Sequence, residues 1–402
     1  MLPFGLGRSY GDSCLNDGGV LLLTTSLNHI VAFDDEHGLF RCEAGVSLDE
    51  VLKVIVPRGW FLPTTPGTKF VTVGGAIAND IHGKNHHRAG TFGCHVTRFE
   101  LLRSDGKRLL CSPVENSEWF AATIGGLGLT GLITWAEFKL RRIANAMIDV
   151  ESVKFANLDQ FFKISAESDQ HFEYTVSWLD CLAKGTALGR GIFMRGNHAG
   201  PEIQNLQPHR SPRLRVPIDF PNFALNHYSI KAFNTLYDAR ARGPVSRKVM
   251  HYDPFFYPLD ALKDWNRIYG RRGFFQYQCV VPFTNGHEAM RAVIARIASS
   301  GQGSFLAVLK TFGEKESPGM LSFPFQGVTL ALDFPNNGPE TLALFTELDR
   351  IVLAAGGRLY PAKDARMPAH AFQEHYSRWR EFRDYLDPAF SSSFWQRVSH
   401  PI

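Results

Sequence analysis

The sequence predicts an α+β fold of two domains, and two patterns carry this prediction. Over the first 145 residues, short strands alternate with glycine-rich loops. Residues 274–360 instead follow the order β-α-β-β-α-β, which is typical of a ferredoxin-like sheet. A length of 402 residues suits two or three domain-sized units. We therefore expect a glycine-rich first domain followed by a second domain built on a sheet.

Residue patterns delimit the elements of the first part. Apolar residues recur at helical spacing from Leu48 to Ile55, and Ser47 with Glu50 fits a capping box at the start of that helix. The expected elements are a strand over Leu39–Ala44, a helix from Ser47 to Val56, an extended piece over Trp60–Leu62, a hairpin of Phe99–Leu102 and Arg108–Cys111, a helix over Glu118–Ile124 and a strand over Leu132–Leu140.

The second part divides into a loop-rich stretch and the β-α-β-β-α-β segment. Residues 190–250 contain ten Lys and Arg against three Asp and Glu, a local net charge of +7, and we expect them to be loop-rich. The later segment is expected to form a strand over Phe274–Pro282, a helix over His287–Ser299, strands over Ser304–Phe312 and Val328–Phe334, a helix over Pro339–Ala355 and a strand over Gly357–Tyr360.

Composition argues against several classes of protein. The net charge of +4 is too small to indicate nucleic-acid binding without a concentrated basic face. Six cysteines are scattered without a C-x-x-C pair, which fits buried thiols in a reducing compartment. No run of 18 apolar residues and no signal-peptide pattern is present, so a cytoplasmic location is the expectation.

Three glycine-rich clusters stand out in the first third of the chain. They are GLGRSYGD from Gly5, the stretch from Pro66 to His87 that contains TVGGAIANDIHGKNHH, and GGLGLTG from Gly125. Glycine lets backbone N–H groups converge on phosphate oxygens. The spacing Gly126-x-Gly128-x-x-Gly131 matches a Rossmann fingerprint, but here a helix precedes it and a strand follows, which is the reverse of that context. Each cluster alone is compatible with a tight turn; together they indicate a nucleotide site.

Three histidines in the second cluster, His82, His86 and His87, invite a metal interpretation. A zinc-binding helix requires H-E-x-x-H, whereas Gly-Lys-Asn separates His82 from His86. We therefore predict no metal site and interpret His86 and His87 as hydrogen-bonded loop residues.

These clusters, together with LPTTPGT, FFQYQ (274–278), SFLAVLKTFG (304–313) and GGRLYPAKDAR (356–366), resemble the vanillyl-alcohol-oxidase-type (PCMH) flavoenzymes. The similarity extends over nearly the whole chain and is greatest to members that act on a polyprenyl-phosphate ribose. It implies a two-domain PCMH-type FAD-binding fold with a substrate domain built on a largely antiparallel sheet. The implied division is an FAD-binding domain over 1–146, a substrate domain over 147–356, and a segment, 357–402, that returns to the FAD domain.

The resemblance also implies a set of cofactor-binding residues. The first loop would wrap the pyrophosphate and the second would continue the cradle, while Asn79, His82 and Gly83 would lie along the isoalloxazine. The residues expected to bind FAD are Gly5, Gly7, Arg8, Ser9, Tyr10, Gly11, Asp12, Pro66, Gly67, Thr68, Thr72, Val73, Gly74, Gly75, Asn79, His82, Gly83, Ile133, Thr134 and Tyr360. Some relatives attach FAD through a His in a G-R-S-H setting; Tyr10 occupies that place here, so we predict non-covalent FAD.

Oxidation of an alcohol by a flavin needs a C–H bond held near N5 and a base or cation at the hydroxyl. The resemblance assigns this part to Lys363, with His82 beside it, although a lysine acts as a base only if its pKa is lowered. Gln276 and Gln278 share one face of a strand, and Lys310 lies on the next strand. With Lys363 and Thr329 they are the expected substrate-binding residues; a solvent-facing side of the sheet is the alternative.

Two departures from the family pattern bear on function. Family members carry a further strand–helix–strand before GLGRSYGD, so the FAD-binding domain is expected to lack its N-terminal part. Actinobacterial members also show Asn-x-Cys where this chain has Thr329-Leu330-Ala331, which bears on the lipid-linked substrate.

The leading functional hypothesis is oxidation of the 2-hydroxyl of a polyprenyl-phosphate pentose, as the first half of an epimerisation completed by a short-chain reductase partner. The alternatives are a soluble alditol or aldonolactone oxidase and a non-catalytic flavin-binding module. Residues 190–250 could in addition dock on a polyprenyl phosphate or an anionic inner-membrane surface, or could form a solvated loop.

Overall fold

A computed structural model describes residues 1–212, 214–240 and 243–400 of the chain. Its strands are β1 (Leu2–Phe4), β2 (Leu21–Leu23), β3 (Ile30–Asp34), β4 (Leu39–Glu43), β5 (Trp60–Phe61), β6 (Val96–Leu102), β7 (Arg108–Cys111), β8 (Leu132–Lys139), β9 (Arg141–Arg142), β10 (Met147–Phe155), β11 (Tyr174–Leu179), β12 (Gly191–His198), β13 (Leu214–Arg215), β14 (Val245–His251), β15 (Leu262–Lys263), β16 (Phe274–Pro282), β17 (Ala307–Phe312), β18 (Gly327–Pro335) and β19 (Arg358–Leu359).

Its helices are α1 (Leu48–Ile55), α2 (Val73–Ala78), α3 (His86–Ala89), α4 (Ser117–Thr123), α5 (Leu158–Ser168), α6 (His227–Arg240), α7 (Tyr252–Phe256), α8 (Phe283–Ser300), α9 (Pro339–Ala354), α10 (Ala369–His375), α11 (Trp379–Phe382) and α12 (Ser393–Ser399). None of the helices in the described part of the chain is long and apolar enough to cross a membrane.

The first domain is built on an antiparallel sheet with the strand order β3-β4-β8-β6-β7. Helix α1 covers it, and the expected capping box is present: Ser47 accepts a hydrogen bond from the Glu50 backbone, and Glu50 accepts one from the backbone of Ser47. The apolar face of α1 packs into one core with β4, β6 and β8. The predicted strands, hairpin and two helices of this part are confirmed, with ends shifted by one to three residues.

The second domain is built on a larger antiparallel sheet with the order β14-β10-β12-β11-β17-β18-β16-β19. Its last four strands are joined through α8 and α9 as predicted, and their order is that of a ferredoxin-like sheet. Alternation along β16 turns Tyr277 and Cys279 toward a core shared with α8 and α9. Gln276 and Gln278 project from the opposite face. The α+β fold with a largely antiparallel substrate-domain sheet is therefore confirmed.

Three sequence expectations were wrong. His86 and His87 are not loop residues, because they begin helix α3. Residues 190–250 are not simply loop-rich, because they contain β12, α6 and β14. The inner face of α6 is narrow, with Ile230 and Asn234 buried, while Tyr228 and Leu236 are exposed apolar residues that obscure the helical period. The glycine-rich stretch after Thr72 is not all loop either: the Thr72 hydroxyl accepts a hydrogen bond from the Gly75 backbone and begins α2.

The C-terminal residues lie against the beginning of the chain. The backbone N–H of Tyr10 donates to Ala362 O at 2.9 Å, and that of Asp387 donates to Leu129 O at 2.9 Å. Arg397 on α12 forms an ion pair with Asp12 at 2.7 Å. These contacts hold the first glycine-rich loop against the turn after β19, which carries Lys363.

Candidate active site

A cavity of about 340 Å³ lies between the glycine-rich loops of the first domain and the free face of the larger sheet. This volume is within the range of roughly 300–1,000 Å³ typical of cofactor and small-molecule sites. All three glycine clusters contribute wall residues, as do α2, β16, β17, β18 and the turn Pro361–Lys363. Elements distant in sequence thus meet at one site.

The structure brings most of the predicted site residues to the wall of this cavity. Those on the wall are Gly5, Gly7, Arg8, Ser9, Tyr10, Pro66, Gly67, Thr68, Thr72, Gly74, Gly75, Asn79, His82, Gly83, Ile133, Gln276, Gln278, Lys310, Thr329, Tyr360 and Lys363.

Four residues expected to bind FAD lie outside the cavity wall. A Cβ on Gly11 would lie 1.4 Å from the carbonyl oxygen of Asp364, so this glycine allows close backbone packing. Asp12 is engaged by Arg397. Val73 is buried in the core of the first domain, and the Thr134 hydroxyl donates to Glu100 Oε1 at 2.7 Å. These four residues lie behind the cavity wall and do not line it.

The backbone of the glycine-rich loops fits a phosphate-bearing cofactor. Gly7 has a φ of +59°, a conformation that favours glycine, and the Arg8 guanidinium donates to Phe70 O at 3.2 Å, which ties the first loop to the second. A Cβ added at Gly67 would meet no protein atom within 4 Å, so the cavity has room at this point. Exposed backbone and one arginine suit a diphosphate group.

The floor of the cavity is a polar patch on β16, β17 and β18. Cross-strand register sets Gln278 beside Ala331 and Thr329 beside Lys310. The Gln278 amide donates to Nε2 of His82 at 2.9 Å, and the Thr329 hydroxyl donates to Cys279 O at 2.8 Å. The predicted polar side of this strand pair is thus buried inside the protein, and a solvent-facing sheet side is excluded.

His82 is enclosed by aromatic rings and stays neutral. Its ring centroid lies 4.8 Å from that of Phe312 and 5.4 Å from that of Tyr360. Burial, together with the positive charges of Lys310 and Lys363, holds its pKa well below the usual range. Among the described residues, no group of three or more His, Cys, Asp or Glu side chains is arranged to hold a metal ion.

Lys363 projects into the cavity from the turn after β19. Its Nζ lies 4.0 Å from the centroid of the Tyr10 ring, in a cation–π contact. Burial lowers its pKa to about 8, against the opposing influence of Asp333 and Cys14. A lysine in this state exchanges protons near neutral pH, which is what a base or polarising cation at a hydroxyl requires.

Two further lysines face the cavity from its other side. Lys310 Nζ donates to Gly83 O at 3.3 Å, and burial with the charge of Lys84 lowers its pKa to about 7. Burial lowers the pKa of Lys84 to about 8, and its Nζ lies 5.8 Å from the Phe255 ring centroid. Neither ammonium has a carboxylate within 4.0 Å among the residues described. The pair therefore forms a half-buried positive site on the cavity wall, without a counter-ion among the described residues.

Sequence reasoning missed several wall residues. Lys84 lies in the HGKNHH string, where its position directly after Gly83 could have identified it. Trp265, Phe256 and Asp260 come from the connection between β14 and β16, where no motif marked them. Tertiary packing alone brings this connection to the cavity.

Comparison with known proteins agrees with this geometry. The family described as "FAD binding domain" matches residues 1–112. Decaprenylphosphoryl-beta-D-ribose oxidase of Mycolicibacterium smegmatis is 39% identical over 98% of this chain and 88% of that protein. An uncharacterized protein in the mprA 5'region of Streptomyces coelicolor is 33% identical over 88% of this chain and its own full length. Delta(24)-sterol reductase of Rattus norvegicus is 32% identical over 29% of this chain.

Fold, cavity and sequence similarity together define an FAD-binding oxidoreductase of the PCMH type. Within that class, the chain belongs to the family of decaprenylphosphoryl-β-D-ribose oxidase.

Proposed function

We propose that this enzyme oxidises a hydroxyl group of a phosphate-bearing sugar, with the 2-hydroxyl of a polyprenyl-phosphate pentose as the leading substrate. The observation that carries the proposal is the pair Lys84 and Lys310, two half-buried lysines on the cavity wall whose ammonium groups have no carboxylate partner among the described residues. A buried cation is costly unless it is paired, so a site of this kind favours an anionic ligand. The name of the relative, a decaprenylphosphoryl-ribose oxidase, agrees with such a substrate.

The glycine-rich loops are proposed to hold FAD without a covalent bond, with Gly7 and Gly67 at the phosphates and Asn79 near the ring system. Bound FAD supplies an acceptor for a hydride from the sugar carbon. Lys363 binds the reacting hydroxyl and takes up or stabilises its proton, while Gln278 and Thr329 offer polar groups to the rest of the sugar. Neutral His82, held by Gln278, keeps that side of the site free of additional charge.

The charge of the Lys84–Lys310 pair predicts how the KM for a phosphorylated substrate depends on pH. Folded-state pKa values of about 7 for Lys310 and about 8 for Lys84 mean that Lys310 has lost half of its charge at about pH 7 and Lys84 half of its charge at about pH 8, so the positive charge of the pair declines as the pH rises through this range. We therefore expect KM for a phosphorylated substrate to rise between about pH 7 and pH 9. A neutral alditol should show a smaller rise, because it depends on Lys363 but makes no use of the charges of Lys84 and Lys310.

Anaerobic bleaching of the flavin absorbance tests the proposal directly. The protein is mixed with polyprenyl-phosphate pentoses, with the water-soluble pentose 1-phosphate, and with free alditols, and reduction is followed over substrate concentration. A charge-assisted hydrogen bond contributes about 1.5–3 kcal/mol, so Lys310→Met should weaken saturation by phosphorylated substrates by roughly tenfold or more. Lys107→Met, at an exposed turn, is the matched control and should behave as the wild type.

The outcomes separate the candidate functions. Bleaching by phosphorylated pentoses that weakens in Lys310→Met supports the proposal. Bleaching by free alditols that is equal in both variants contradicts it and favours a soluble alditol or aldonolactone oxidase. A flavin that none of these sugars reduces contradicts it as well.

We also propose a reductase partner. Oxidation at a secondary hydroxyl yields a ketone, and an epimer forms only when a second enzyme returns a hydride to the opposite face. A short-chain reductase has that chemistry. Mixing the two enzymes with reduced nicotinamide cofactor and assaying for the epimer tests this step; accumulation of ketone alone contradicts it.

Contact with an anionic membrane is proposed for residues 214–236. Phe223, just before α6, is 78% exposed, Tyr228 on α6 is 82% exposed, and Lys231 is exposed on the same helix as Tyr228. Exposed rings beside basic residues suit an interface between lipid headgroups and water. Flotation with vesicles of phosphatidylglycerol should carry the protein, vesicles of phosphatidylcholine should not, and a Phe223→Ser/Tyr228→Ser variant should stay at the bottom. Equal flotation of variant and wild type contradicts this contact.

A further inference from the structure

The carboxyl group of Asp333 lies next to the cavity floor, in the same row of β18 as Thr329 and Ala331. Its side chain is buried, and its cross-strand neighbour Gln276 donates an amide hydrogen to Oδ1. The second oxygen, Oδ2, is buried without a hydrogen-bond partner among the described residues. A buried carboxylate oxygen without a hydrogen-bond partner destabilises the folded protein. A nearby positive charge would offset this cost.

Lys363 lacks a negatively charged partner in direct contact, just as Asp333 Oδ2 lacks a hydrogen-bond donor. Its half-buried ammonium lies against the Tyr10 ring and has no carboxylate within ion-pair distance in the described part of the chain. The Asp333 charge nevertheless acts on it: Asp333 raises the pKa of Lys363, and Lys363 lowers that of Asp333, each against the larger effect of burial. Geometry sets the two groups at the same end of the cavity: the Tyr10 ring under Lys363 lies 5.3 Å from that of Phe274, and Gln276, on the same face of β16, pairs with Asp333 and lines the cavity wall with Lys363.

We propose that Asp333 is a positioning residue for Lys363, and that its buried negative charge keeps the Lys363 ammonium protonated inside the cavity. This inference rests on the proposed function only for the place of Lys363 beside the reacting hydroxyl. It adds a residue that acts through Lys363 and does not itself contact the sugar.

The other groups around the pair are uncharged near neutral pH. Burial raises the pKa values of Tyr10 and Cys14, which face Lys363, and that of Tyr269, which faces Asp333. Burial also holds the pKa of His82 far below neutrality. More distant charges, those of Arg8 and Asp260, act on Tyr10. Asp364, which follows Lys363 in sequence, is paired with Arg397 at 3.0 Å, so Asp333 is the carboxyl group whose charge acts on Lys363.

The protonation states of the pair follow from two pKa values. Burial raises that of Asp333 to about 7, while that of Lys363 is about 8. Between about pH 7 and pH 8 the pair holds one charge of each sign. Above this range Lys363 is neutral, and below it Asp333 is neutral. Loss of the carboxylate charge should let Lys363 release its proton at a lower pH.

Competitive acetylation of the FAD-loaded protein measures this directly. Trace acetic anhydride is applied from pH 5 to pH 10, and mass spectrometry follows the peptides that contain Lys363 and Lys310. Asp333→Asn keeps the shape of the side chain and can still accept the Gln276 hydrogen bond. An opposite charge nearby shifts a pKa by about one unit or more, so the labelling midpoint of Lys363 should fall by about one pH unit in this variant.

Lys310 is the internal reference, because burial and Lys84 lower its pKa whereas Asp333 has no part in it. Its midpoint should stay constant, and Asp333→Glu should return Lys363 toward the wild-type midpoint. An unchanged Lys363 midpoint in Asp333→Asn, or an equal shift of both lysines, overturns the proposal. If Asp333→Asn does not fold, Gln276→Met provides the test: loss of the donor raises the pKa of Asp333, and the Lys363 midpoint should fall by a smaller amount.

This assay is independent of the substrate. A shifted midpoint supports the role of Asp333 even if none of the tested sugars bleaches the flavin, and an unshifted midpoint contradicts it even if they all do. With an active substrate, the pH profile of flavin reduction should move in the same direction, by a similar amount.

Discussion

At the scale of single residues, burial is the main determinant of the chemistry of this site. Lys84, Lys310 and Lys363 are ordinary surface residue types, yet each has a depressed pKa because the cavity removes it from water. Their differences come from neighbours. Lys84 and Lys310 repel each other, whereas Lys363 faces Asp333. The same residue type can therefore bind an anion on one side of the cavity and handle a proton on the other.

The environment of Tyr10 predicts that FAD is bound without a covalent bond. A phenol with a strongly raised pKa is a poor nucleophile, and Tyr10 occupies the position that a histidine holds in covalent relatives. We expect acid precipitation to release all FAD into the supernatant and the protein band on a denaturing gel to show no flavin fluorescence. A yellow pellet would refute this.

At the scale of elements, short helices begin where a side chain caps the backbone. Helix α1 depends on its capping box for the two backbone N–H groups of Ser47 and Glu50, and its apolar face anchors the smaller sheet. The first turn of α1 also contacts the second glycine-rich stretch, because the Leu48 N–H donates to Val71 O at 2.9 Å, so the start of this helix helps to locate part of the cavity wall.

Removal of the cap should therefore destabilise the first domain. Ser47→Ala should lower the free energy of unfolding by about 1 kcal/mol, because the Glu50 N–H loses its acceptor. Urea unfolding followed by circular dichroism measures this. Ser117→Ala, at the exposed first residue of α4, is the control and should change stability little. Equal stability of Ser47→Ala and wild type would argue that the cap is redundant.

At the scale of the whole molecule, the two ends of the chain complete the site together. Arg397 on α12 holds Asp12 at 2.7 Å and Asp364 at 3.0 Å, which joins the first glycine-rich loop to the segment that carries Lys363. The loop therefore depends on a contact 385 residues away in sequence.

Breaking this contact should loosen the cofactor. Arg397→Gln leaves the buried carboxylate of Asp364 without its cation, which costs about 3 kcal/mol or more. We expect a lower melting temperature and at least tenfold weaker retention of FAD in ultrafiltration. Arg378→Gln, which breaks an exposed ion pair with Glu381, is the control and should retain FAD normally. Equal retention in both variants would show that the N-terminal loop holds FAD without the C-terminal clamp.

Much of this arrangement was predictable from sequence because its signals are local. Periodicity and caps located α1, α8, α9 and the ferredoxin-like half of the larger sheet, and the glycine clusters identified most of the cavity wall. Helix α6 and strand β14 were missed because their exposed apolar residues blur the period. Gly11, Asp12, Val73 and Thr134 were misplaced because a motif does not distinguish a residue that lines a loop from one that supports it.

The sequence by itself determined the class of fold, the cofactor and the residue types available to the site. Only the tertiary structure decided which of those residues share one environment. Lys84 and Lys310, 226 positions apart by their numbers, become a single cationic site, and Asp333 becomes the partner of Lys363, because strands and loops from both domains exclude water from the same cavity. Charge, burial and distance are joint properties of groups brought together by packing, and a linear pattern of residues does not contain them.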